Sequence, residues 1–174
     1  WVDLRAPALY RLDPGSGDTR RWPMPALIGA VALARDGKLM LALATGLFLF
    51  DPGTAAMTPY LAPEPIELGN RLNEAKCDRQ GRLWVGSRRG LQRRRDDGAF
   101  EPIASDPEDP ASLANGLVER LFEDSRGRLW IGTQEGVSLY DQGLWGSFGE
   151  QDGLPSPRVV AITEVEGALW FGTE

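Results

Sequence analysis

Short runs of apolar and β-branched residues, each closed by glycine and charged turns, follow one another along the whole chain, and one of them recurs. Gly37-Lys38-Leu39-Met40-Leu41, Gly81-Arg82-Leu83-Trp84-Val85, Gly127-Arg128-Leu129-Trp130-Ile131 and Gly167-Ala168-Leu169-Trp170-Phe171 are versions of one phrase. Met40, Trp84, Trp130 and Trp170 stand 44, 46 and 40 residues apart. Short strands repeating at that period are the mark of a β-propeller, in which each repeat is one four-stranded antiparallel blade. No segment sustains a helical period. The predicted class is therefore all-β, with residues 1–174 read as a single propeller domain of about four blade equivalents.

The third repeat shows the strands most clearly. Leu117 to Glu123 predicts a first strand, Arg128 to Thr133 a second, Val137 to Asp141 a third and Leu144 to Phe148 a fourth. Asp124-Ser125-Arg126-Gly127 is the first turn, and it recurs as Asp78-Arg79-Gln80-Gly81, Glu164-Val165-Glu166-Gly167 and Ala34-Arg35-Asp36-Gly37. An acidic residue opens such a turn by accepting backbone N–H bonds, and glycine closes it where φ is positive. The Leu-Trp-Val/Ile-Gly stretch is apolar on both faces, as expected of a strand sandwiched between blades. Trp84, Trp130 and Trp170 are accordingly expected to be packing residues.

Trp1 falls in the register of Leu41, Val85, Ile131 and Phe171, so Trp1-Val2-Asp3-Leu4 and Phe171-Gly172-Thr173-Glu174 compete for one slot. Leu9 to Asp13 and Thr19 to Trp22 could supply third and fourth strands to the last repeat. A ring closed by pairing of the N- and C-terminal strands would hide the sheet edges. Self-association of two copies into a larger toroid, or an open arc, are the alternatives. The N-terminal copy is expected to be the one displaced.

The chain has 174 residues, 42% of them hydrophobic, with 21 Gly and 13 Pro, which suits a strand-and-turn domain. No run is long enough to cross a membrane, and no targeting pattern is read at the start. The net charge of −6 argues against nucleic acid as a partner. Arg88-Arg89 with Arg93-Arg94-Arg95 is a local exception, read as a solvated strand edge. Cys77 is the one cysteine and is expected to be a small core residue. The chain holds no histidine, which removes Ser-His-Asp, Cys-His and histidine-zinc chemistry and leaves oxygen ligands suited to Ca²⁺, Mg²⁺ or Mn²⁺. Asp106-Pro107-Glu108-Asp109-Pro110 has the look of an acidic cation loop but is read as a solvated connector.

Two resemblances cover different parts of the chain. Trp1-Val2-Asp3, Leu9 to Pro14, Ile28 to Leu33 and Asn70-Arg71-Leu72-Asn73-Glu74-Ala75-Lys76-Cys77-Asp78 make residues 1 to about 87 similar to the senescence-marker-protein/gluconolactonase family. That resemblance implies a six-bladed propeller hydrolysing sugar lactones with a divalent metal in its tunnel. It assigns substrate contact to Arg71 and Asn73, and Glu74 stands where the family usually has Asp. From about residue 88, Gly90-Leu91-Gln92-Arg93, Asp106 to Leu113, Gly127 to Thr133 and Asp152-Gly153-Leu154-Pro155-Ser156 resemble the regulator-propeller repeats of hybrid two-component sensors. That second resemblance implies ligand sensing without catalytic residues.

The family's metal is held by a Glu in a Gly-Glu-x-Pro segment, an Asn in an Asn-Gly-Leu segment and a later Asp. Only Asn115-Gly116-Leu117 matches any of these, and its flanking residues belong to the regulator repeats, so the match is read as coincidence. The sequence therefore predicts a non-catalytic propeller scaffold, a recombinant or designed chimera of propeller fragments or a fragment of a sensor. It has no catalytic residues, no metal ligands and no cofactor, and Arg71 and Asn73 are a substrate-binding remnant. The alternative is a reduced metal-dependent lactonase of gluconolactonase type using Arg71 and Asn73, with Ca²⁺ or Mn²⁺.

Overall fold

A computed structural model describes residues 1–3, 5–63, 70–106, 108–109 and 111–174. Leu4 of the N-terminal overlap, and Pro107 and Pro110 of the acidic loop, lie outside them. The chain divides into two compact units, Trp1–Leu72 and Asn73–Glu174.

The first unit holds two antiparallel sheets. β1 (Val2–Asp3), β2 (Ala8–Leu12) and β3 (Thr19–Pro23) form one, in that order. β4 (Ile28–Leu33), β5 (Leu39–Leu43), β6 (Gly46–Phe50) and β7 (Met57–Leu61) form the other. Leu9, Trp22, Ile28, Leu41, Leu43 and Phe50 make its core. The N-terminal copy of the contested slot keeps its place: Val2 pairs with Leu9 and Asp3 with Ala8. Trp1 exchanges both backbone bonds with Tyr10, at 2.9 and 3.0 Å, and the two rings stack 5.0 Å apart. These bonds and the stacking hold the segment that the sequence predicts to be displaced.

The second unit is built of three sheets. β8 (Leu72–Cys77), which starts on the last residue of the first unit, is joined by β9 (Leu83–Ser87), β10 (Gly90–Arg94) and β11 (Phe100–Ile103). β12 (Val118–Glu123), β13 (Leu129–Thr133), β14 (Gly136–Asp141) and β15 (Leu144–Phe148) follow as a second meander. β16 (Val159–Val165) and β17 (Ala168–Thr173) form a two-stranded sheet. The strands predicted in the third repeat agree with β12 to β15 to within one residue. Helical structure among the described residues is limited to short 3₁₀ turns such as Arg35–Gly37 and Glu150–Asp152.

The glycine after each Trp-Val/Ile pair has a packing cause. A Cβ at Gly86 would sit 2.4 Å from Val118 Cγ1, and one at Gly132 would sit 2.7 Å from the Val159 carbonyl oxygen. Each glycine lets the first strand of the next sheet lie directly against the second strand of its own.

The three tryptophans of the repeat diverge. Trp84 is 0% exposed and Trp130 is 7% exposed, but Trp170 is 62% exposed. The packing role expected of Trp170 is therefore not what the structure shows. One face of β16–β17, with Ile162, Leu169 and Phe171, packs on Trp130, Val137 and Val159. The other face, which carries Trp170, is uncovered. Cys77 is exposed rather than in the core.

Candidate functional site

The strand β8 carries the residues that the family resemblance singles out. Arg71 lies immediately before it, half-buried, and its backbone N–H donates to Asn70 Oδ1 at 2.9 Å. Asn73 is buried on the strand, and its Nδ2 donates to the Val118 carbonyl at 2.9 Å. That bond ties β8 to the start of β12. A carboxamide can make it because the glycine at position 86 has already brought Val118 close. Glu74 follows, with its carboxylate 3.6 Å from the Arg120 guanidinium and accepting the Ala75 N–H at 3.2 Å. Burial raises the Glu74 pKa, partly opposed by Arg120, the Ala75 N–H and Lys76. The sequence singles out Glu74 only as a departure from the family's Asp; its ion pair is not legible there, because only the fold brings Arg120 to it.

Among the described residues no three His, Cys, Asp or Glu side chains converge. Asn115 Oδ1 accepts the Leu117 N–H at 2.7 Å and so closes its own turn. Glu74 faces the Arg120 guanidinium at 3.6 Å. Ca²⁺ or Mn²⁺ needs several oxygens aimed at one point, and these donors are aimed elsewhere. The described residues do not fit a metal. In the acidic loop, Asp106 and Asp109 bond within the loop itself, Asp106 Oδ1 accepting the Glu108 N–H and Asp109 Oδ1 the Ala111 N–H.

A second constellation recurs in the middle repeats. Asp78 Oδ2 accepts from Arg82 Nε at 2.6 Å and from Trp84 Nε1 at 2.7 Å, while Oδ1 accepts the Gln80 and Arg82 N–H groups. Asp124 does the same with Arg128, Trp130 and Arg126. For Asp124, burial alone would raise the pKa; the bonds from Trp130 and Arg128 outweigh it and leave it lowered. Both carboxylates are fully engaged, so this is a fastening of turn, strand and ring rather than an open site. Arg93, in the predicted basic run, pairs with Glu101 at 2.7 Å, and Arg95 pairs with Asp97.

Residues 1–118 match the family described as the SMP-30/gluconolactonase/LRE-like region. The chain belongs to that family. Residues 112–135 match the two component regulator propeller. The chain is 34% identical to L-arabinolactonase of Azospirillum brasilense over 98% of its own length and 61% of that protein's. It is 30% identical to 6-deoxy-6-sulfogluconolactonase of Pseudomonas putida, over 68% of this chain and 40% of that one. The chain thus spans about 60% or less of the length of these relatives. Virginiamycin B lyase from Staphylococcus aureus superimposes with a TM-score of 0.66 at 17% identity, over 97% of this chain and 57% of that one, which shows a shared β-propeller fold.

These findings overturn the expectation of a non-catalytic scaffold assembled from two parents. One lactonase aligns across both halves of the chain, and the family match runs past the supposed junction near residue 88 to include Asn115. Residues 112–135, which match the two component regulator propeller, carry the same turn, tryptophan and close-packed glycine as the preceding repeat. A common phrase set by packing carries no information about whether a blade also catalyses.

Proposed function

We propose that this chain is part of a sugar-lactone hydrolase, with Arg71 and Asn73 as its substrate-contacting pair. The observation that carries the reading is the 34% identity to an arabinolactonase across 98% of the chain. In lactone hydrolysis water adds to the ring carbonyl, the acyl C–O bond breaks, the ring oxygen leaves as a hydroxyl, and the product is a hydroxy acid. A guanidinium at position 71 offers paired donors for sugar hydroxyls or the carbonyl oxygen. Asn73 is held in one orientation by its bond to Val118, so it would present a fixed polar edge. The raised pKa of Glu74 suits it to carry a proton nearer neutrality than an ordinary glutamate.

The test is hydrolysis of L-arabino-1,4-lactone and D-glucono-1,5-lactone by the purified chain, followed as acid release, with and without added Ca²⁺, Mn²⁺ or Zn²⁺. The expected result is a rate above the uncatalysed one that falls at least about 100-fold in Asn73→Ala while the circular dichroism stays unchanged. A rate equal to buffer under every metal condition sinks the proposal. So does a rate that Arg71→Ala and Asn73→Ala leave intact.

A further inference from the structure

We propose that the turn Arg88-Arg89 reads an oxyanion on the substrate, so that the lactones this chain takes carry a carboxylate or phosphate remote from the ring carbonyl. This substrate class rests on the lactonase reading above and belongs to the same site. Every residue that supports it lies in the second unit. Ser87 pairs with Gly90, so Arg88 and Arg89 are the two turn residues between β9 and β10. The Ser87 hydroxyl, buried, accepts the Arg89 N–H at 3.1 Å and donates to the Gly90 carbonyl at 3.2 Å, which fixes the turn. Strand register puts that turn at the end of the sheet where Asn73 stands. In the next sheet Val118 pairs with Thr133 and Arg120 with Gly132, across a bulge at Glu119. A Cβ at Gly132 would lie 3.4 Å from that of Arg120, and a Cβ at Gly86 would lie 3.8 Å from that of Glu74. Glu74 is therefore the residue facing Gly86. Asn73, just before it, is level with the end of β9 at Ser87, and the two arginines follow at once.

The turn itself does not require this charge. Gln134-Glu135 makes the same two-residue turn between Thr133 and Gly136, and the Thr133 hydroxyl holds it with the same two bonds. Ala44-Thr45 does so between Leu43 and Gly46. Nor is the charge spent inside the fold. Arg82, Arg93, Arg95, Arg120 and Arg128 each pair with a carboxylate. Among the described residues no ion pair or side-chain hydrogen bond engages Arg88 or Arg89, and both are exposed. Two adjacent guanidiniums repel each other, and an oxyanion between them relieves that repulsion while accepting charge-assisted, bidentate bonds. In a chain of net charge −6 they make a local positive site beside Asn73, which draws an anionic ligand to that end of the sheet. The anionic group takes no part in the chemistry. Water adds to the ring carbonyl, the acyl C–O bond breaks, the ring oxygen leaves as a hydroxyl, and the second charge is unchanged.

Two matched pairs of lactones test this. D-glucaro-1,4-lactone carries a carboxylate where D-glucono-1,4-lactone carries a hydroxymethyl group, and 6-phospho-D-glucono-1,5-lactone differs from D-glucono-1,5-lactone by its phosphate. In at least one pair kcat/KM should favour the charged member by at least about 10-fold, chiefly through KM, and that pair identifies the anion. The ratio of charged to neutral should collapse in the double variant Arg88→Gln, Arg89→Gln, folded by circular dichroism, and should persist in part in Arg88→Lys, Arg89→Lys. It should also shrink as salt is raised. A parent that hydrolyses the neutral lactones as well as both charged ones overturns the anion subsite and leaves the lactonase reading standing. A preference that survives the glutamine substitutions does the same. If no lactone is turned over, the lactonase reading has failed, and calorimetric titration with the same four compounds decides the subsite. Charge-selective binding that the glutamine variant loses supports it; equal binding of charged and neutral members, or none, overturns it.

Discussion

Trp84 and Trp170 occupy the same place in the repeat and meet opposite surroundings. Around Trp84 the carboxylate of Asp78 takes the indole N–H and the Arg82 side chain, and a neighbouring sheet brings Tyr140. In the last repeat the pairing of Glu164 with Leu169 matches that of Glu123 with Leu129, so Val165 stands where Asp124 does. Ala168 stands in the place of Arg128. Glu164 instead accepts the Ser125 N–H and hydroxyl, as Glu123 accepts the Arg79 N–H. The last repeat thus keeps the contacts that reach back to the preceding sheet. It has lost the Asp–Arg pair that fastens the tryptophan in place. What buries a tryptophan in this fold is the next sheet, not the strand that carries it.

The largest test of that difference is a pair of truncations followed by chemical denaturation. Trp84→Ala should cost about 3–5 kcal/mol, because a fully buried ring leaves a cavity. Trp170→Ala should change stability by no more than about 0.5 kcal/mol, as exposed substitutions do. Equal losses would show that the two environments are the same in solution.

The fastening itself comes next. Asp124→Asn weakens the acceptor for Arg128 and Trp130, and an expected loss of about 2–3 kcal/mol would appear as a lower denaturation midpoint. Its pH dependence has a definite sign. A carboxyl whose folded pKa is lowered stabilises the fold above the ordinary aspartate range, about pH 4, and that contribution drains away as pH falls through the lowered value. The variant should therefore show a flatter loss of stability with acid than the parent. A parallel acid curve would mean that Asp124 titrates normally.

The glycines sharpen the contrast further. Gly132→Ala forces a Cβ to 2.7 Å from a backbone oxygen of the next sheet and should cost about 1–3 kcal/mol in thermal unfolding. At Gly172 the nearest atom is the Ala161 Cβ at 3.1 Å, within its own sheet, so Gly172→Ala should cost less than Gly132→Ala. The reverse order would point to a neighbour on β17 in solution.

The smallest effect belongs to the exposed contacts. Glu164→Gln keeps an acceptor for Ser125 and should shift the melting temperature by the equivalent of less than about 1 kcal/mol.

Much of the blade is local chemistry and therefore legible in the chain alone. The period, the strand boundaries, the acidic turn-opener at Asp78 and Asp124, and the positive φ of Gly81 and Gly127 follow from residues within a few positions of one another. Arg71 and Asn73 were named from the family resemblance alone, and the structure places Asn73 on β8 with Arg71 just before it. The lactonase resemblance was legible over residues 1 to about 87, and its continuation beyond residue 88 was not, since the repeat phrase there also matches the regulator propeller.

What tertiary structure decided are the encounters between residues far apart in sequence. Asn73 finds Val118, 45 positions on. Glu74 finds Arg120 and rises in pKa once burial has removed its water. Trp170 carries the same letter and the same register as Trp84, yet it is exposed, with no sheet over it among the described residues. A strand's sequence sets which face is apolar, but burial is a property of two surfaces, and only the assembled chain states whether the second one is there.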